Sequence, residues 1–88
     1  MFPAWKQHRR RRAQAAVLNA MWSHGLSRVT PERIATAARL RPAETRHALK
    51  VLEAAGLITV ERRTGLWALS HEGQRVAGNR RRTAGSLR

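Results

Sequence analysis

"RLRPAETRHALKVLEAAGLI", residues 39 to 58, is where the fold is decided. Pro42 lacks the amide that a first helical turn leaves unused, and Gly56 suits the left-handed residue that closes a helix, so the spacing predicts a helix from Pro42 to Ala55. At about 100° per residue, Thr45, Leu49, Leu52 and Gly56 share one side and form the expected buried stripe. Ala43, His47, Lys50 and Ala54 line the opposite side, with Arg46 on one flank and Glu44 on the other. The apolar stripe docks this helix, and its basic side faces outward.

Upstream, Thr30-Pro31-Glu32 supplies a capping hydroxyl, a first-turn proline and a first-turn acid. A helix to about Arg39 follows, with Ile34, Ala35 and Ala38 inward and Leu40 just beyond. Two helices about three residues apart, the second opening on a proline, describe a helix-turn-helix. Downstream, Leu57 to Val60 is β-prone, Arg63-Thr64-Gly65 is a turn, and Leu66 to Leu69 reads as a returning strand. Ser70 caps a last helix expected to reach about Arg82, weakened by Gly73 and Gly78, with Val76 and Ala77 folding back. The terminal TAGSLR is expected to be unstructured.

Before the helix-turn-helix, residues 8 to 24 read as a first helix with Ala13, Ala16, Val17, Ala20, Met21 and His24 on one face. Its second edge, Leu18 and Trp22, is also apolar. Either this helix is central to the core or it buries a second face against another chain. Gly25 ends it, and LSRV, residues 26 to 29, is a short extended piece.

Eighty-eight residues suffice for one modest core but not for a core plus an ordinary catalytic cleft, so an enzyme is not expected. With no cysteine there is no disulfide framework, thiolate zinc site or thiol catalysis. Apolar runs are broken well short of a bilayer's width, and the charge of MFPAWKQHRRRR follows its apolar residues. The chain reads as neither membrane-spanning nor secretory.

The net charge of +13 calls for a polyanionic partner. Its distribution divides the chain into a basic N-terminal arm (1 to 12, with Lys6 and Arg9 to Arg12), a domain (13 to 78) and a basic tail (79 to 88, with Arg80, Arg81, Arg82 and Arg88). The ends together carry +9 and no acid, whereas the domain is only +4. Arg9, Arg10, Arg11, Arg12, Arg80, Arg81 and Arg82 are therefore expected as auxiliary phosphate contacts.

The order helix, strand, helix, helix, strand, strand, helix in "TPERIATAARLRPAETRHALKVLEAAGLITVERRTGLWALSHEGQRVA", residues 30 to 77 with the helix and strand before them, resembles the winged helix-turn-helix family. The similarity is to small bacterial regulators of the MarR, ArsR and PadR kinds. It implies a mainly α fold with a three-helix core, a β-hairpin wing and a C-terminal helix. It also implies a double-stranded DNA partner, with the helix from Pro42 in the major groove and site residues Arg41, Ala43, Glu44, Arg46, His47, Lys50, Arg62, Arg63 and Thr64. Arg46 has the fork to meet guanine O6 and N7, Arg41 the position for a phosphate, and Arg62 and Arg63 the wing tip. The chain departs from the family pattern at Arg39, where a glycine is usual, at Arg41, where Ser or Thr caps, and at Thr45, where an aliphatic residue is buried.

Four histidines (His8, His24, His47, His71) lie on different elements without paired spacing, so no metal or other cofactor is expected. The five glutamates are scattered and read as caps and solvated partners. Trp67 belongs in the core, whereas Phe2, Trp5, Leu18 and Trp22 are candidate contacts in a homodimer reading two half-sites about one DNA turn apart. A cytoplasmic, nucleoid-associated repressor acting by site occupancy follows, with no small-molecule ligand evident. The rival readings are a sequence-independent architectural or recombination accessory protein, and a winged helix that docks RNA or protein.

Overall fold

A computed structural model describes residues 4–24 and 28–86, with side chains described for 9–24 and 28–79. The elements run α1 (Ala4–Ser23), α2 (Pro31–Ala38), α3 (Pro42–Ala54), β1 (Ile58–Glu61), β2 (Leu66–Leu69) and α4 (His71–Ser86). Strands β1 and β2 pair antiparallel in the register Ile58 with Leu69 through Glu61 with Leu66. Val29 adds a one-residue third strand, exchanging both amide-to-carbonyl hydrogen bonds with Trp67 at 2.8 Å. This is a winged helix-turn-helix.

The core forms where α1 crosses the helix-turn-helix. Val17, Leu18 and Met21 of α1 meet Ile34 of α2, Ala48, Leu49 and Leu52 of α3, and Ile58 and Leu69 of the hairpin. Leu18 is only 4% exposed, so the core consumes this candidate dimer contact, while Trp22 stays 38% exposed. The wide apolar face of α1 thus mostly serves its own domain. Trp67 is half-buried against the core, and Ala77 of α4 is buried.

Several local expectations are corrected. His24 is exposed, because α1 ends at Ser23 and leaves it in a turn. Gly56 is exposed rather than part of the buried stripe, and Ala48 takes that place. Leu57 is not in the strand, because it completes the helix closure before β1. The first helix starts at Ala4 instead of residue 8, and α4 runs to Ser86 through most of the segment expected to be unstructured. The first extension follows from Ala4, Lys6 and Gln7, which are good helix formers, with no proline or glycine between Ala4 and His24, whereas Thr83 to Ser86 continue α4 against their low propensity. Arg9 to Arg12 sit on α1, within the helix expected from residue 8. Phe2 and the side chains of Trp5, Arg80, Arg81 and Arg82 lie outside the described residues.

Two helices close in the same way with different residues. After α3, the Gly56 amide donates to Glu53 and the Leu57 amide to Leu52, the Schellman pattern, with Gly56 at φ +80°. After α2, the Arg39 amide donates to Thr36 and the Leu40 amide to Ala35, with Arg39 at φ 57° and ψ 46°. A left-handed residue with a Cβ costs roughly 1–2 kcal/mol, and glycine gives part of this back through a freer unfolded chain. Arg39→Gly is therefore expected to stabilise the domain by about 1 kcal/mol, raising the thermal midpoint by about 4–8 °C. An unchanged or lower midpoint in a calorimetric melt would show that the Arg39 side chain repays its backbone strain.

Candidate nucleic-acid interface

The position of α3 is set at its start. Thr45 is 1% exposed, and its hydroxyl donates to the Arg41 carbonyl at 3.0 Å, so a polar residue is accommodated in the buried stripe. Arg41 is the N-cap, and a guanidinium has no acceptor to offer the free amides. Half of a capping box remains: the Arg41 amide donates to Glu44 Oε1 at 3.3 Å. Glu44 is thereby half-buried and committed to capping. Arg41→Ser would supply the missing acceptor opposite Glu44. A gain of about 1 kcal/mol in a denaturant melt is expected, together with weaker DNA binding if Arg41 holds a phosphate.

The rest of the outward face matches the periodicity. Ala43, Arg46, His47, Lys50 and Ala54 are all exposed, opposite the buried Thr45, Ala48, Leu49 and Leu52. At about 100° per residue, His47 and Glu44 lie toward one edge of this face and Arg46 and Glu53 toward the other. The first edge borders α1. Arg9, Arg10 and Ala13 of α1 and Arg41, Ala43, Glu44, His47 and Ala48 line an open groove of about 620 Å³ between them. Sequence periodicity puts Arg9 and Arg10 on the first helix but does not bring them to α3, since which turn of α1 packs beside α3 is not written in either helix alone.

The second edge borders the wing. Arg62 turns back from the hairpin and pairs with Glu53 of α3 at 3.1 Å, a contact that charge alone does not forecast over nine residues. With the Arg62 side chain 81% exposed, this pair contributes about 0–1 kcal/mol, little enough for a phosphate to displace it. Arg63 and Thr64 are exposed at the tip. The Thr64 hydroxyl is part of the turn, accepting from the Leu66 amide at 3.3 Å, and Gly65 takes φ +71°. Arg11 and Arg12 are exposed on α1 but do not line the groove.

Of the histidines whose side chains are described, His24 lies in the turn after α1, His47 on α3 and His71 at the start of α4. Among the described residues no helix is long and apolar enough to cross a membrane. No protein-family model matches the chain, and no curated protein sequence is similar to it. A solved structure is similar. It is the crystal structure of a candidate transcriptional regulator protein from Pseudomonas aeruginosa PA01, with a TM-score of 0.70 and 33% sequence identity over 94% of this chain. The present chain spans 65% of that protein's length. An identity of 33% carries the likeness beyond backbone shape to the sequence itself.

Proposed function

We propose that the chain is a sequence-specific double-stranded DNA-binding protein that regulates transcription, with α3 inserted in the major groove. One observation carries the reading: the exposed side of α3 presents His47 and Lys50 opposite the stripe that anchors the helix in a winged helix-turn-helix, with Arg46 exposed on the flank beside them. A helix of this width fits the major groove, and its first two turns meet base edges. Ala43 is small enough to let the helix approach closely, Arg41 and the wing residues Arg62, Arg63 and Thr64 meet flanking backbone, and the chain has no catalytic role. The description of the Pseudomonas aeruginosa protein as a candidate transcriptional regulator agrees with this.

The protein acts as a homodimer in the cytoplasm, on the nucleoid, and represses by occupying its site. A domain at residues 13 to 78 does the reading, and the basic ends strengthen the grip. The test is selection of bound fragments from random duplex DNA at about physiological ionic strength, where screening limits purely electrostatic binding. Enrichment of one inverted repeat, with half-sites about one turn apart, is the expected result. Binding without any enriched motif would overturn sequence specificity. It would favour a sequence-independent architectural role, the second reading, which rests on the charge of +9 held by the two ends.

A further inference from the structure

The groove between the N-terminal half of α1 and the start of α3 brings Arg9 and Arg10 beside Arg41 and His47. We propose that this groove is a preformed track for the phosphodiester backbone of duplex DNA, which makes α1 a part of the DNA-binding surface. The inference rests on the proposed seating of α3 in the major groove.

The geometry is as follows. Packed helices lie about 8–10 Å apart, and the major groove is about 12 Å wide. When α3 lies in that groove, one wall of phosphates falls at the junction between α3 and its neighbour on that side. On the α1 side the junction is this groove. Arg9 and Arg10 of α1, the N-cap Arg41 and His47 of α3 line it, and α3 points its positive N-terminal end into the same region. The groove is open along its length, as a continuous chain requires, and its small floor residues Ala13, Ala43 and Ala48 leave space at its centre.

Glu44 is the opposing charge among the lining residues. Its carboxylate is half-buried and accepts the Arg41 amide, and three arginines outweigh this single acid in the lining. The arrangement also divides a run of four arginines that looks uniform in sequence. Arg9 and Arg10 face the track, whereas Arg11 and Arg12 are exposed outside it. Held on a helix, the first pair meets phosphates at fixed places along the site, unlike charges on a loose arm.

The experiment uses the full chain and a duplex to which the unaltered protein binds. Binding is measured as a function of salt, and phosphate ethylation interference maps the contacts, for Arg9→Ala/Arg10→Ala and for Arg11→Ala/Arg12→Ala. Each neutralised phosphate contributes about 0.9 to the slope of log affinity against log salt, so losing two contacts lowers the slope by about 1.8. The first variant is expected to show that drop and to lose interference at one or two adjacent phosphates beside the bases under α3. Arg9→Lys/Arg10→Lys, which keeps the charges, is expected to retain both, and thermal melts confirm that each variant folds. An unchanged interference pattern in a folded Arg9→Ala/Arg10→Ala protein overturns the track, as does an equal, unlocalised effect from the Arg11/Arg12 pair. If the unaltered chain binds no duplex, the reading of α3 fails and the track with it. If it binds with α3 at the bases and only the Arg9/Arg10 result is negative, the track alone fails.

Discussion

Gly73→Ala is expected to destabilise the domain by about 3 kcal/mol, lowering the thermal midpoint by about 12–24 °C, whereas Gly78→Ala in the same helix is expected to stabilise it. A Cβ on Gly73 would run into the Leu57 carbonyl, lying 2.9 Å from its carbon and 3.2 Å from Leu69 Cδ2. That carbonyl has nowhere to go. It accepts the Ser70 amide at 3.0 Å, while the Ser70 hydroxyl donates to Gly56 at 2.6 Å and accepts the Gly73 amide at 3.0 Å. Ser70 therefore joins the end of α3 to the start of α4, and any shift that relieves the alanine breaks a hydrogen bond at a part-buried site. At Gly78 a Cβ would sit 3.4–3.5 Å from the nearest Trp22 ring atoms, an ordinary contact. Alanine there gains about 0.8–1 kcal/mol in helix propensity. Thermal melts of the two variants check the contrast, and similar shifts of the same sign would show that α4 is not held through Gly73.

These two glycines show where the sequence was legible and where it was not. Both read as weaknesses in a helix, which is all that propensity can say of them. What separates them is a neighbour: the Leu57 carbonyl in one case and the Trp22 ring in the other. Periodicity and caps, by contrast, are local, and they placed α2, α3 and β2 within a residue or so. The left-handed turn at Arg39 was signalled only by the resemblance, as the place where the family pattern has a glycine, because nothing local in an arginine announces it. The contacts of Arg62 and the pair Arg9/Arg10 were not legible, since their surroundings depend on how the hairpin and α1 pack on α3. Glu44, expected among the DNA contacts, lines the groove beside α1 and also accepts the Arg41 amide, a cap that the sequence reading did not assign to it.

Arg46→Ala is expected to relax discrimination at one base position by about 1–3 kcal/mol, a factor of about 5 to 150, while leaving binding to unrelated duplex largely unchanged. Arg46 is exposed and lies on the wing edge of α3, clear of the buried stripe and of the capping contacts. The substitution removes a guanidinium fork without opening a cavity, so stability should stay within about 0.5 kcal/mol. The position on the helix matters to the expectation. Arg46 falls in the first two turns, where a helix entering the major groove brings side chains within reach of base edges, whereas Arg41 precedes the helix, and the proposed function gives it a phosphate. Two bonds to guanine O6 and N7 are lost together, which no alternative base would have satisfied. Repeating the selection with the variant and comparing base preferences position by position is the measurement. A preference lost at one position of each half-site assigns Arg46 to base recognition. A loss of affinity spread evenly over all sequences would make it a phosphate contact and would shift the reading of bases toward Lys50 and His47, the other polar side chains that α3 exposes on this face.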